Sequence, residues 1–355
     1  MKIVITAPSL DEHRNVSGIS TVVRQIIAHS SFQYSHFTAG REDGEQGGAF
    51  RLLKQAMLPI RFFARVLKEG ADVVHINTAL TERSIWRDSF LARAARLAGR
   101  PVVLAIHGGK FLTNDFEDPR LEKVTENMFR GAKTIIVLSE LERRASERRW
   151  SGLNIKVLAN AVPSPDQPEV VRNNPKPVLI FFGRLHESKG LDEIVKSCRA
   201  LRDRGFDFEF NCFGDGPMRD VFVSQMWEVL GDRFYYGGVV TSHEKWERFA
   251  EADVFLLPSI YGEGLPMAIL EAMAAGCVVV ASEMASVASV IDDGRNGYLV
   301  EPGNTEEFIG RLKLVLEGRS EWKPVQEAAI KTVREKFAIS GYIEKLEGIY
   351  KEVAA

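Results

Sequence analysis

Cysteine is scarce in this 355-residue chain: Cys198, Cys212 and Cys277 are all there is, and none forms a Cys-x-x-Cys pair. That argues against a disulfide framework and fits buried thiols of a reducing cytosol. Long apolar runs are missing as well, none approaching the roughly 20 residues that cross a bilayer. The amino-terminal residues Met1–Thr6 read as a first strand rather than a signal peptide. Charge of one sign is not in excess: 46 Lys and Arg against 48 Asp and Glu leave a net −2, which argues against a dedicated nucleic-acid binder. There is no Asp-x-Asp, no His-Glu-x-x-His and no cysteine–histidine cluster, so no metal is expected. No glycine precedes Gly18 after the first strand, so the Gly-x-Gly-x-x-Gly of an NAD-type dehydrogenase is absent.

What is present is the balance of a soluble globular protein, 45% hydrophobic and 26% charged, long enough for two domains. Short, nearly continuous apolar runs alternate with amphipathic stretches. Lys2–Thr6, Asp72–Asn77, Pro101–Ile106, Thr134–Leu138 and Ile155–Leu158 read as parallel strands covered on both faces. Ser84–Ala98 and Glu140–Arg149 read as helices, with Ser139 and Glu142 as a capping box. Residues 160–177 contain five prolines and read as a linker. The alternation then restarts with Val178–Phe182, Asp207–Phe213, Phe234–Tyr236, Val254–Leu257, Cys277–Ala281 and Tyr298–Val300. It closes on the helices 305–316 (capped by Asn304 with Glu307), Val325–Phe337 and Ile339–Val353. The expectation is α/β: two doubly wound Rossmann-like domains, 1–163 and 164–339, with the helix near 340–355 packing back on the first. Two such sheets in tandem are expected to share a cleft at their strand ends, the default ligand site.

The most specific stretch runs from Pro258 to Gly276, just after the strand Val254–Leu257. Pro266 is expected to open a helix reaching Ala275. The free N–H groups of its first turn, around Met267 and Ala268, make an anion site suited to a diphosphate. Gly262 and Gly264 let the backbone approach that anion. Glu263 and Glu271 flank it; carboxylates repel phosphate, so they serve neighbouring hydroxyls. A diphosphate with hydroxyl-rich groups on either side describes a nucleotide sugar. A second stretch, Phe181 to Gly190, ends a strand in Gly183-Arg184 and opens the next helix after Lys189-Gly190; the two cations suit a leaving diphosphate. A third, Gly214-Asp215-Gly216-Pro217, follows another strand and reads as a wall of the nucleotide pocket, with the 237–240 turn carrying Val239 nearby.

These segments together resemble the retaining glycosyltransferases of family 4, which have the GT-B fold. Gly183-Arg184-Leu185 with Lys189-Gly190, the Gly214 turn, and Glu263 with Glu271 at the family's Glu-x7-Glu spacing carry the likeness, along with Asp72-Val73-Val74-His75, His107-Gly108 and Asp293–Gly297. The resemblance implies that Arg184 and Lys189 bind the donor diphosphate and Glu271 the ribose. It implies that Glu263 contacts the transferred sugar, that Gly264, Leu265 and Pro266 lie against the phosphates, and that His107 meets the donor sugar. Gly18 would approach the phosphates, although Ser17-Gly18 stands where the family usually has two glycines. The catalytic set is then Glu263, His107, Arg184 and Lys189. The donor's own leaving phosphate would take the acceptor proton on the same face, with no metal and no other cofactor.

The acceptor implied is a hydroxyl of a glycan or lipid-linked glycan, the setting cell-surface polysaccharide or glycolipid synthesis, and the location cytoplasmic, with no nucleic-acid partner. Residues 1–175 carry a net +6 and the remainder −8, a hint that the front half faces something anionic. Phe50–Lys68 holds five cations and no acid; Arg61, Arg65 and Lys68 share one helical face, and Pro59 is expected to kink or split the segment. Two readings stay open for it: a core-packed helix with a solvated basic face, and a helix lying on an anionic membrane. His75 reads as structural. Three alternatives compete with the transferase: a sugar-nucleotide epimerase of GT-B-like fold, a glycogen-type phosphorylase, which would need a pyridoxal site and more chain, and a non-catalytic nucleotide-sugar-binding module.

Overall fold

The computed structural model describes residues 1–355 apart from 13, 14, 16, 41–55, 113, 114, 164–171, 173 and 285. It divides into two compact units, Met1–Asn160 with Ile339–Ala355, and Ala161–Ala338. Each contains one six-stranded sheet, and every strand pairing in both is parallel. The doubly wound α/β class read from the sequence therefore holds in both halves.

In the first unit the strands are β1 (Lys2–Ala7), β2 (Gln33–Thr38), β3 (Val73–Thr78), β4 (Val102–Ile106), β5 (Thr134–Val137) and β6 (Ile155–Val157), in the order β2-β1-β3-β4-β5-β6. Helices α1 (Gly18–His29), α2 (Leu58–Glu69), α3 (Glu82–Leu97), α4 (Pro119–Arg130) and α5 (Glu140–Arg149) connect them. β3 and β4 are buried at every residue, which is why β4 reads as an unbroken apolar run and β3 as a nearly apolar one whose His75, Asn77 and Thr78 are buried polar groups. Phe129 meets Trp150 edge-on at 4.9 Å and Phe37 meets Phe62 at 4.8 Å; each such fully buried ring contributes roughly 1.5–3 kcal/mol.

The second unit holds β7 (Val178–Phe182), β8 (Glu209–Phe213), β9 (Phe234–Gly238), β10 (Val254–Leu257), β11 (Val278–Ser282) and β12 (Tyr298–Val300), ordered β12-β11-β10-β7-β8-β9. Its helices are α6 (Leu191–Asp203), α7 (Arg219–Leu230), α8 (Ser242–Glu251), α9 (Met267–Ala274), α10 (Thr305–Glu317) and α11 (Trp322–Lys336). Phe182 stacks on Phe213 at 4.6 Å and tilts against Phe249 at 4.7 Å, beneath the ends of the central strands.

The final helix, α12 (Ile339–Ala354), belongs to the first unit. Glu347 accepts hydrogen bonds from Ser30 Oγ (2.8 Å), Ser31 N (2.7 Å) and Ser31 Oγ (2.9 Å). Tyr350 is fully buried, and its hydroxyl lies 2.5 Å from His75 Nδ1 on β3. His75 is thus a structural residue, as read from the sequence.

Several local expectations need correction. β2 was not foreseen; as an edge strand it is mostly half-exposed and polar, so it lacks the apolar run that marks its neighbours. Pro59 lies in the first turn of α2, where no intrahelical N–H is required, and a turn at Met57 separates helical residue 56 from α2, so the described part of the segment is split just before the proline. Pro266 is the N-cap of α9 rather than its first residue. Ser139 Oγ does accept from Glu142 N (3.3 Å), but Glu142 reaches past the cap to Leu138 N at 2.7 Å. Asn304 and Glu307 behave alike, Glu307 taking Glu301 N at 2.9 Å. Of Phe50–Lys68, residues 50–55 lie outside the described residues; in α2 the bulky face, Phe62 and Val66, is fully buried in the unit's core. Half of the proline-rich 160–177 stretch also lies outside the described residues.

Candidate functional site

In the second unit the chain runs from β7 outward through β8 and β9, then returns to the other side of β7 for β10. That reversal between β7 and β10 is the place where open parallel sheets receive ligands, outside the carboxyl ends of the strands. The loops leaving the two strands are the Gly183–Gly190 and Pro258–Pro266 stretches. They touch: a Cβ on Gly190 (φ +68°) would lie 1.9 Å from the Pro258 carbonyl oxygen, and Ile260 N donates to Ser188 O at 2.8 Å. The Gly214 turn is sewn to the same place. Leu185 N donates to Asp215 O (3.0 Å), Met218 N to Leu185 O (3.0 Å) and Gly214 N to Gly238 O (2.7 Å). Gly214 sits at φ +126°, and a Cβ there would be 1.9 Å from Gly183 O. Four turns singled out in the sequence therefore meet at one end of one sheet.

Charge is arranged there in two pairs. Lys189 Nζ pairs with Glu263 Oε1, whose carboxylate also accepts from Ser259 Oγ at 2.6 Å. Only 8% of the Glu263 side chain is exposed. One helix turn into α9, the equally buried Glu271 pairs with Lys245 of α8. The Lys245 ammonium in turn lies 5.6 Å from the Phe182 ring centre and 5.9 Å from that of Phe249, within cation–π range. Arg184 is exposed at the loop surface, as is Val239; Gly264 and Leu265 are buried. Asp215 braces its own turn, accepting from Gly216 N at 2.8 Å. No side chain caps α9 and no acid occupies its first turn, so its positive end is uncompensated by local carboxylates.

Lys245 and Ser259 escaped the sequence reading. A signal for Lys245 exists: it lies one turn before Phe249, the buried residue of α8, so it is a charge on an apolar face.

Gly18 and His107 belong to the first unit. There the strand order reverses between β1 and β3. His107 directly follows β4; its backbone N donates to Thr78 O at 2.9 Å. Its ring Nε2 lies 2.6 Å from Asn77 Oδ1. The Asn77 amide donates its own Nδ2 to Thr6 O at 2.8 Å, so Oδ1 must accept and His107 Nε2 must carry the hydrogen. Nδ1 is then a buried acceptor with no partner among the described residues. Burial pushes the imidazole down to about 4, so it is neutral near pH 7. His75 is driven further, to about 3, by burial first and then by the neighbouring His107. Gly109 (φ +119°) lets the chain pass Ala79 O, which a Cβ would approach to 2.6 Å. Gly18 is the first residue of α1, whose cap Ser17 makes no side-chain hydrogen bond, and the space where its Cβ would stand is open.

Among the described residues no cluster of His, Cys, Asp or Glu could hold a metal, and no helix is long and apolar enough to cross a membrane.

Residues 164–335 match the family described as Glycosyl transferases group 1, and residues 32–161 the Glycosyl transferase 4-like domain. Over 280 residues the chain is 26% identical to the alpha-D-kanosaminyltransferase of Streptomyces kanamyceticus, covering 73% of this chain and 72% of that one. It is 31% identical to the amylovoran biosynthesis glycosyltransferase AmsK of Erwinia amylovora over 165 residues, 45% of this chain and 40% of the relative. The chain spans less than half the length of several curated relatives it matches. Among solved structures, sucrose-phosphate synthase from Thermosynechococcus elongatus superposes with a TM-score of 0.79 at 17% identity, covering 99% of this chain and 98% of that one. Anabaena HepE, solved with UDP and glucose, gives 0.76 at 18%, covering 99% and 100%. Two glycosyl transferase domain models thus match the chain end to end, residues 32–161 and 164–335, and its fold is the one these GT-B structures share.

Proposed function

We propose that the protein is a retaining glycosyltransferase of family 4 that moves a sugar from a nucleotide-diphosphate sugar to a hydroxyl of a glycan or lipid-linked glycan, without a metal. The observation that carries this reading is the junction of the β7 and β10 loops. It holds Lys189 against Glu263 beside the uncapped α9 and buries Glu271 one turn further on. Lys189 and Arg184 grip the diphosphate with the N–H groups of α9, while Leu265, Pro266 and Gly264 approach it from the loop. Gly214, Asp215 and Val239 wall the nucleotide, and Glu271 accepts from the ribose hydroxyls once Lys245 gives way. Glu263 keeps Lys189 neutralised until the donor arrives; the ammonium then exchanges the carboxylate for phosphate oxygens, and Glu263 turns to the sugar hydroxyls. Of the first unit's residues, this reading assigns Gly18 to the donor phosphates and the unpartnered Nδ1 of the neutral His107 to a sugar hydroxyl.

Catalysis in this reading is positioning and electrostatics: cations and a helix end stabilise the charge that gathers on the departing diphosphate, whose own oxygen takes the acceptor proton. The amylovoran relative supports a glycan acceptor and polysaccharide synthesis, and the HepE complex supports a nucleotide-sugar donor. We place the enzyme in the cytoplasm. The test is release of nucleoside diphosphate from a panel of nucleotide sugars, with and without acceptor glycans, in excess EDTA, with the product anomer read by proton NMR. Turnover that gives an axial bond from an axial donor is expected. Tight binding without turnover would favour a binding module, inversion would remove the retaining mechanism, and activity restored only by Mg²⁺ would remove metal independence.

A further inference from the structure

Outside the donor site, the first unit has a pocket of about 430 Å³ where α2 lies beside the end of the edge strand β2, a volume in the range of small-ligand sites. Arg61, Arg65 and Lys68 line it from the helix, and His36 and Thr38 from the strand. Thr38 is the last residue of β2, so the pocket opens at a strand's carboxyl end. His36 and Thr38, two apart, share one face of that strand. The ring contact between Phe37 and Phe62 fixes helix and strand to each other, so the walls are held by the core.

Among the described residues the charge in this pocket is only partly compensated. Arg65 donates to Glu69 Oε1 at 2.8 Å and Lys68 acts on the same carboxylate through space, but neither Arg61 nor Lys68 forms an ion pair there. Like charges four apart cost a helix a few tenths of a kcal/mol, and Arg61 in the first turn also opposes the helix dipole. His36 Nε2 lies 3.2 Å from Ala7 O, so that nitrogen donates inward. Burial lowers its pKa, with Arg65 adding to the effect, which leaves the ring neutral and the pocket's positive charge on the three helix cations. A phosphate ester matches these walls: spherical, anionic, and rich in acceptors for guanidinium, ammonium and a threonine hydroxyl.

We propose that the β2–α2 pocket is a second anion site that holds the phosphate of a phosphate ester, separate from the donor diphosphate. Its occupant, on the transferase reading above, is the phosphate of the acceptor or of the lipid that carries it; the binding itself does not rest on that reading. The experiment is calorimetric titration of the full chain with inorganic pyrophosphate, for wild type, Arg61→Gln/Lys68→Gln, the charge-keeping Arg61→Lys/Lys68→Arg, and Lys189→Gln. The neutral double variant, at exposed positions, is expected to weaken one binding event about tenfold or more. The charge-keeping pair and Lys189→Gln keep that event. Pyrophosphate binding identical in wild type and Arg61→Gln/Lys68→Gln would overturn the proposal, whereas an unaltered response in Lys189→Gln speaks only against the donor site. Flotation with phosphatidylglycerol and phosphatidylcholine vesicles separates the sources. Binding to the anionic vesicles that falls together with pyrophosphate affinity identifies a lipid headgroup; pyrophosphate binding without vesicle binding identifies a soluble ester. Vesicle binding that falls while pyrophosphate affinity stays unchanged would mean diffuse surface charge and would also overturn the pocket.

Discussion

The two units share a scaffold and differ in what they set at its open end. Both are six-stranded parallel sheets with a reversal of strand order. Around the reversal in the second unit stand two carboxylate–ammonium pairs, Glu263 with Lys189 and Glu271 with Lys245. At the strand ends of the first stand neutral groups, His107 bonded to Asn77 and Asn77 to Thr6. The sheet supplies position, and the residues just past each strand supply chemistry: charge that can be exchanged for a ligand's charge on one side, a fixed dipole and a lone pair on the other.

The contrast breaks most visibly with pH. In the first unit His107 and His75 have folded values of about 4 and about 3, below the ordinary 6.5. The unfolded chain therefore holds more protons in that window, and stability, complete above pH 6.5, falls as pH drops toward 4. His107 alone accounts for roughly 3 kcal/mol by this linkage. Urea unfolding at pH 7.5 and 4.5 should show that loss, and His107→Gln should make it smaller. An equal slope in wild type and variant would contradict the neutral buried imidazole.

The second unit should respond in rate instead. Lys189→Ala or Arg184→Ala is expected to cost about 2–3 kcal/mol of transition-state stabilisation, about 10²-fold in kcat/KM, with the melting temperature little changed. Steady-state kinetics beside thermal melts checks this; a large fall in melting temperature with kcat/KM preserved would make Lys189 a structural residue.

Backbone packing sharpens the comparison further. Gly214→Ala must place a Cβ 1.9 Å from Gly183 O at a left-handed φ, so it should cost roughly 1–3 kcal/mol through overpacking and strain. Gly18→Ala meets nothing within 4 Å and should alter stability by less than about 0.5 kcal/mol, while raising KM for the donor if Gly18 faces the phosphates. Chemical denaturation and donor titration of the two variants read the difference.

The strands buried on both faces were legible because such strands need no polar alternation; Val178–Phe182 and Val254–Leu257 agree to the residue. Edge strand β2 was not, since Gln33–Thr38 is half-solvated and carries only Phe37 into the core. Helix α4 could have been read from Asp118, whose Oδ1 accepts from Arg120 N at 2.8 Å, and from Pro119 in the first turn. The turns of the candidate site were legible from their glycines, because Gly190 and Gly214 leave no room for a Cβ. The partners within it were not: Lys245 and Glu271, or Asn77 and His107, lie far apart along the chain and meet only through the strand order. Spacing along one element is visible in a sequence, whereas contact between elements is not.

The central claim is that the β7–β10 junction binds a nucleoside diphosphate. Titration of wild type, Lys189→Ala and Glu271→Ala with UDP, GDP and ADP tests it directly. One of the three should bind wild type and lose about tenfold or more in each variant. Equal affinity in all three proteins, or no affinity for any of the nucleotides, would contradict the account.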